Sequence, residues 1–205
     1  MDVNGWLMVW GLGAYLLGSV SSAIVVCRLM GLGDPREDGS GNPGATNVKR
    51  LYGNRPAALT LAGDLLKGLV PVAVAVWYGV SAEAVAVIGL AAFFGHLYPV
   101  FFQFRGGKGV ATFLGVMFGL HGLIGAIVAG IWLFVAKVLK VSSVSALVAA
   151  LLAPFVVYAS LTWLGRAEQA WLLAAMTAVM SLVLFWRHRS NIQRLISGEE
   201  DRIQR

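Results

Sequence analysis

The sequence predicts an all-α, polytopic membrane protein with seven transmembrane helices, its N-terminus outside and its C-terminus in the cytoplasm. Three observations lead there. Of 205 residues, 58% are hydrophobic and only 13% are charged, whereas a soluble domain carries about 25% charged residues. So little polar surface cannot cover a water-soluble globule, and lipid must solvate much of the chain. Apolar runs near the roughly 20-residue crossing length recur along the sequence. The basic residues then fall almost entirely on one side of the resulting spans. Twenty-five glycines fit close helix packing in lipid.

Taken in order, the apolar runs cover residues 4–27, 56–78, 82–104, 110–120, 123–135, 142–161 and 170–186. The first 27 residues hold no Lys or Arg, so the basic start of a secretory signal is missing and the first run is expected to remain as a span. Runs four and five form either one helix over residues 110–136 or two short ones broken at residues 119–122. Charge separates these readings. With the break, fourteen of the sixteen basic residues lie on the cytoplasmic side; Arg166 lies outside and Lys67 within a span. Without it, Lys137, Lys140 and the C-terminal arginines move outside, against the positive-inside rule. Span four is then about 11 residues, expected to be shortened, tilted or shielded by protein. Some short or broken helices are therefore expected within a single membrane domain, residues 1–205, with no internal repeat. Trp77, Trp163 and Trp171 near span ends read as interfacial anchors. Ile192, Leu195 and Ile196 form an apolar face on the polar tail.

Several function classes are disfavoured. The single cysteine, Cys27, sits in an apolar run and permits neither a disulfide framework nor a cysteine-based zinc site. No carboxylate cluster suggests a metal. The net charge of +6 is dispersed over topological loops rather than gathered into a nucleic-acid footprint.

Three polar stretches share the expected cytoplasmic side. The first, residues 39–47, reads Gly-Ser-Gly-Asn-Pro-Gly-Ala-Thr-Asn, followed by Lys49 and Arg50. Gly39, Gly41 and Gly44 let backbone N–H groups converge on an anion. Ser40, Asn42, Thr46 and Asn47 add donors, and Pro43 and Thr46 can open a helix towards the ligand. An ordinary charged loop has the same composition. The second stretch places His96 near a helix end, then Arg105-Gly106-Gly107-Lys108-Gly109, with Thr112 beyond. Glycine donors beside two cations make a phosphate cradle, without the spacing of a Walker A loop. A lone histidine there also serves to hydrogen-bond a neighbouring helix. The third holds Arg187, His188, Arg189 and Asn191 directly after the last span, where the arginines also read as snorkelling anchors. Asp64 and Lys67, at i and i+3 inside span two, share a helix face as a functional pair or a helix-holding ion pair. His121 reads as a turn residue.

Together these segments resemble the PlsY family, the bacterial acyl-phosphate-dependent glycerol-3-phosphate acyltransferases. The resemblance is carried by residues 39–47 with Arg50, residues 64–68, Gly95-His96 with residues 99–101, residues 104–112, and residues 187–195, all in order. Arg105, where the family often has Lys, and a short tail are mild departures. The resemblance implies a seven-helix fold in the bacterial cytoplasmic (inner) membrane with a cytoplasm-facing active site. It implies that Ser40, Arg50, His96, Lys108 and Asn191 belong to that site, with His188, Asp64 and Lys67 supporting it. It also implies functional coupling to an enzyme that makes acyl phosphate and to a second acyltransferase.

The chemistry expected on this reading needs no cofactor, because an acyl phosphate carries its own leaving group. No enzyme nucleophile is demanded. The His-x-x-x-x-Asp arrangement of coenzyme-A-linked acyltransferases is absent: His96, His121 and His188 are followed at the fifth position by Phe101, Ala126 and Gln193. Arg50 and Lys108, with the glycine-rich backbones, are expected to hold phosphates. Ser40 and Asn191 are expected to donate to the acyl carbonyl or orient the substrate. Either His96 or a substrate phosphate takes the hydroxyl proton. The competing classes are a transporter for an anionic metabolite, which lacks the expected inverted repeat, and a non-enzymatic scaffold.

Overall fold

The computed structural model describes residues 3–202, and Arg205, counted above among the cytoplasmic cations, lies outside them. Among the described residues every regular element is helical. The chain divides into two compact units, Met1–Gly119 and Leu120–Arg205.

The first unit holds α1 (Val3–Gly18), α2 (Ser22–Leu29), α3 (Ala45–Tyr52), α4 (Asn54–Trp77), α5 (Ala82–Leu97), a 3-10 turn (Val100–Phe102) and α6 (Val110–Leu120). The first apolar run was expected to be one continuous span over residues 4–27. It is instead two helices bent by 46°. The cause lies in Gly18-Ser19-Val20-Ser21: Gly18 packs so tightly that a Cβ there would overlap the Ala92 carbonyl. The break frees backbone carbonyls, which cannot be left unpartnered in lipid. Lys67 answers one of them, its Nζ donating to the Val20 oxygen at 2.8 Å. The third run also stops early, at Leu97, because Pro99 cannot continue a helix and the chain turns through the 3-10 segment.

Glycines set the interhelix distances in this unit. A Cβ on Gly95 would strike the Tyr15 carbonyl, so α1 and α5 approach backbone to backbone. Gly68 and Gly115 do the same for α4 and α6, facing the Thr112 and Leu65 carbonyls. The short fourth run is α6, 11 residues long, and Thr112 Oγ1 ties it to α4 by donating to the Asp64 carbonyl at 2.9 Å.

The second unit holds α7 (Gly122–Leu139), α8 (Ser142–Trp163), α9 (Ala167–Arg187) and α10 (Arg189–Ile196). His121 caps α7, its Nδ1 accepting from the Leu123 amide at 3.2 Å, so the break expected at residues 119–122 is present. Small residues make up much of the buried part of α8, among them Ala146, Ala149, Ala150 and Ala153. Ser181 Oγ on α9 donates to the Ala150 carbonyl at 2.7 Å, a hydrogen bond across two apolar helices.

Among the described residues, five helices are long and apolar enough to cross a membrane, and the bent α1–α2 pair makes a sixth if counted as one span. Their outward side chains are apolar and exposed, among them Leu133, Phe134, Phe155 and Leu182, as lipid contact requires. Trp77, Trp163 and Trp171 all stand exposed at helix ends.

Candidate active site

In the first unit, the loop between α2 and α3 is folded around one buried amide. Asn47 is 1% exposed. Its Nδ2 donates to the Pro35 carbonyl at 2.8 Å and the Asp38 carbonyl at 3.1 Å, and its Oδ1 accepts from the Ser40 amide at 2.9 Å. The carboxamide expected to contact an anion is therefore the loop's central pin. Arg50 joins it, its Nη1 donating to Asn47 Oδ1 at 3.4 Å. Gly39 and Gly41 take left-handed backbone angles, φ +63° and +65°. At Gly39 a Cβ would lie 2.5 Å from Asn47 Oδ1. Gly39→Ala is therefore expected to lose about 1–2 kcal/mol from backbone strain and to dislodge the pin, read as a lowered Tm in detergent; an unchanged Tm would remove Asn47 from this role. The helix α3 opens at Ala45, with Gly44 extended before it, so Pro43 lies just outside it.

Arg36, absent from the sequence-based set, fastens this loop to the second polar stretch. It forms a forked ion pair with Asp34, Nη2 to Oδ2 at 2.7 Å, while Nη1 donates to the Phe102 carbonyl at 3.3 Å. The Arg36 hydrogen bonds hold the Asp34 carboxyl below the ordinary carboxylate range despite its partial burial. A lone arginine in a charged loop carries no local sign of such a role.

The second stretch closes on His96. A Cβ on Gly106 would overlap the His96 carbonyl, and one on Gly107 would overlap His96 Nε2 and lie 3.4 Å from the Pro43 carbonyl. Only glycine fits where loop, imidazole and second loop meet. Lys108 beside them is half-buried. Gly109 completes the turn into α6 at φ +92°. Thr112, expected near phosphate, instead makes the α4 contact described above.

Behind His96 lies a buried charge cluster. Asp64, Lys67 and His96 are 2%, 4% and 6% exposed. Asp64 Oδ1 is 2.9 Å from Lys67 Nζ and 3.6 Å from His96 Nδ1. The second distance is too long for a direct hydrogen bond, but the carboxylate charge favours a proton on Nδ1 and leaves Nε2 to accept. The imidazole thus turns one nitrogen to Asp64 and the other to the glycine-rich loop. Lys67 also borders an apolar crevice walled by Leu17, Val20, Leu66 and Val70, with a volume of about 270 Å³.

In the second unit, His188 and Asn191 are buried at 3% and 7% exposure. His188 Nδ1 donates to the Leu184 carbonyl at 2.8 Å, which fixes its tautomer. Asn191 Nδ2 donates to Glu200 Oε1 at 2.6 Å. Burial alone would raise the Glu200 pKa; hydrogen bonds from Ser143, Asn191 and Arg194 outweigh it and hold the carboxyl below the ordinary glutamate range.

Comparison with known proteins gives one consistent result. A family model for glycerol-3-phosphate acyltransferase matches residues 8–198. The chain is 66% identical over 193 residues to the glycerol-3-phosphate acyltransferase of Hydrogenovibrio crunogenus, covering 94% of this chain and 90% of the relative. It is 55% identical over 190 residues to that of Methylococcus capsulatus, covering 93% and 92%. Among solved structures, it is similar to PlsY, an integral membrane glycerol 3-phosphate acyltransferase, in its glycerol 3-phosphate form: TM-score 0.86, 36% identity, 98% of this chain and 96% of the other covered. The all-α membrane fold and these likenesses together define an integral membrane enzyme of the acyltransferase class. The chain belongs to the glycerol-3-phosphate acyltransferase family.

Proposed function

We propose that this protein transfers an acyl group from acyl phosphate to the sn-1 hydroxyl of glycerol 3-phosphate, giving lysophosphatidic acid and inorganic phosphate for phospholipid synthesis. The observation that carries this reading is the meeting of two glycine-rich loops at His96 Nε2, where Gly107 abuts the ring. Arg50 and Lys108 hold the phosphates of donor and acceptor, helped by backbone N–H groups of Gly41, Asn42, Gly44, Gly106 and Gly107. Thr46, at the start of α3, adds a hydroxyl.

The acceptor hydroxyl oxygen attacks the carbonyl carbon of the acyl phosphate. Its proton passes to His96 Nε2, held by Asp64 in the accepting tautomer. Ser40 donates to the oxyanion as it forms, and the family resemblance gives Asn191 the role of a further donor or of orienting the substrate. The carbon–oxygen bond to phosphate then breaks, phosphate departs with the electron pair and takes the proton from His96 Nε2, and the ester and a neutral imidazole remain. No covalent enzyme intermediate and no cofactor are needed, since the mixed anhydride supplies its own leaving group. The acyl chain lies in an apolar groove reached from the bilayer; the crevice beside Lys67 has that character.

The site faces the cytoplasm of the bacterial inner membrane, as the bias of basic residues favours. Its acyl phosphate comes from an enzyme that makes that mixed anhydride, and its product passes to a second acyltransferase. The direct test of the phosphate assignment is Lys108→Ala in purified, lipid-reconstituted protein. Losing a charge-assisted phosphate contact is expected to raise the KM for one substrate about 10- to 100-fold. Unchanged KM for both substrates would remove Lys108 from phosphate binding.

A further inference from the structure

The turn between α5 and the second glycine-rich loop is held in a costly shape. Gln103 and Phe104 both have φ +58°, in the left-handed region that residues bearing a Cβ avoid, bulky ones most of all. Two such residues in a row persist only where the surroundings over-determine them. Side-chain packing does little of this, since Phe101, Gln103, Phe104 and Arg105 are all exposed. Backbone bonds do part of it. The Phe102 and Phe104 amides donate to the Pro99 carbonyl at 3.1 and 3.0 Å, and the Arg105 amide donates to the Phe102 carbonyl at 3.1 Å. The same Phe102 carbonyl accepts from Arg36 Nη1 at 3.3 Å, across 66 positions of sequence.

Arg36 is itself firmly placed. Its Nε and Nη2 donate to the Asp34 carboxylate, at 3.1 Å to Oδ1 and 2.7 Å to Oδ2, which matches its charge and orients the planar guanidinium. Its amide donates to Asp34 Oδ1 at 2.9 Å. Between the two, the Pro35 carbonyl accepts from buried Asn47 Nδ2 at 2.8 Å. A continuous path thus runs from the start of α3 through Asn47, the Asp34–Arg36 pair and the Phe102 carbonyl to the strained turn. Just beyond that turn, Gly106 and Gly107 meet His96. An isolated surface ion pair contributes little, but this one directs a further donor to the backbone of a remote loop.

We infer that Arg36 is a positioning residue: by holding the Phe102 carbonyl it keeps the strained turn in shape and so sets Gly106, Gly107 and Lys108 in register with the first glycine-rich loop. The inference rests on the reading above that these two loops bind the substrate phosphates. It differs from a merely structural role in acting through the strain at Gln103 and Phe104, which glycine would relieve.

The test uses full-length, lipid-reconstituted protein with acyl phosphate and glycerol 3-phosphate. Arg36→Ala is expected to raise the KM for at least one substrate about tenfold, the size of one lost charge-assisted hydrogen bond, with less change in kcat. Gln103→Gly alone is expected to leave KM near normal. Added to Arg36→Ala it is expected to bring KM most of the way back, because glycine takes the left-handed angle without strain. Arg36→Lys, which keeps the charge but not the fork, serves where the alanine variant folds poorly; it is expected to raise KM and to be recovered by Gln103→Gly in the same way. A normal KM for either folded Arg36 variant, beside a raised KM for Lys108→Ala, would overturn this inference alone. So would a raised KM that Gln103→Gly leaves unrecovered. A normal KM for both Arg36→Ala and Lys108→Ala would remove the phosphate reading of the loops, and the positioning role with it.

Discussion

Replacing His96 with alanine is expected to lower kcat by about 10²- to 10⁴-fold, the range for a lost general base, while KM for either substrate changes far less. The expectation follows from the two-sided setting of the ring. Asp64 Oδ1 stands 3.6 Å from Nδ1, so its charge favours the tautomer with a proton there. Nε2 is then the accepting nitrogen, and Gly107 brings the glycine-rich loop against it. A Cβ at position 107 would fill that approach, so Gly107→Ala is expected to imitate the loss through obstruction. Steady-state kinetics separate the roles. A fall in kcat fits proton transfer, a rise in KM fits substrate positioning, and near-normal values for both assign the proton to a substrate phosphate.

Asp64→Leu is expected to be the most destabilising single change, by about 3–5 kcal/mol, because it strands the buried Lys67 ammonium without its counter-charge. Asp64 and Lys67 are both almost fully buried and 2.9 Å apart. Lipid around α4 offers no water to take over. The double variant Asp64→Leu with Lys67→Leu removes both charges and is expected to regain most of the loss. It should fall short by about 1–3 kcal/mol, since the Val20 carbonyl at the α1–α2 break then loses its donor. Thermal unfolding in detergent reads both values. A single variant as stable as the parent would mean that the pair does not hold these helices. A stable but inactive double variant would assign Asp64 to the orientation of His96.

Much of the fold was legible because lipid solvation imposes long apolar runs, and such runs are hard to mistake. Residues 110–120 emerged as α6 with the same limits, and the break before α7 followed from the distribution of basic residues together with Gly119 and Gly122. The α1–α2 break was missed. Gly18-Ser19-Val20-Ser21-Ser22 lies inside an apolar run, and the break depends on Ala92 and Lys67, which come from distant helices. Within the first unit, composition singled out the glycine loops and His96, and the structure sets Gly106 and Gly107 against that histidine. It could not show which polar groups face inward. Asn47 and Thr112 have the side chains of ligand-binding residues but bond to the protein's own carbonyls. Arg36 and Glu200 escaped notice because their partners, Phe102 and Ser143, are remote in sequence.

The most direct measurement is acyl transfer by the purified protein in lipid, offering acyl phosphate, acyl-CoA and acyl-carrier protein separately with glycerol 3-phosphate. Lysophosphatidic acid formed from acyl phosphate alone is the expected result. Product from acyl-CoA or acyl-carrier protein but not from acyl phosphate would contradict the proposed donor, and product from none, with the protein shown to be folded, would contradict the proposed reaction.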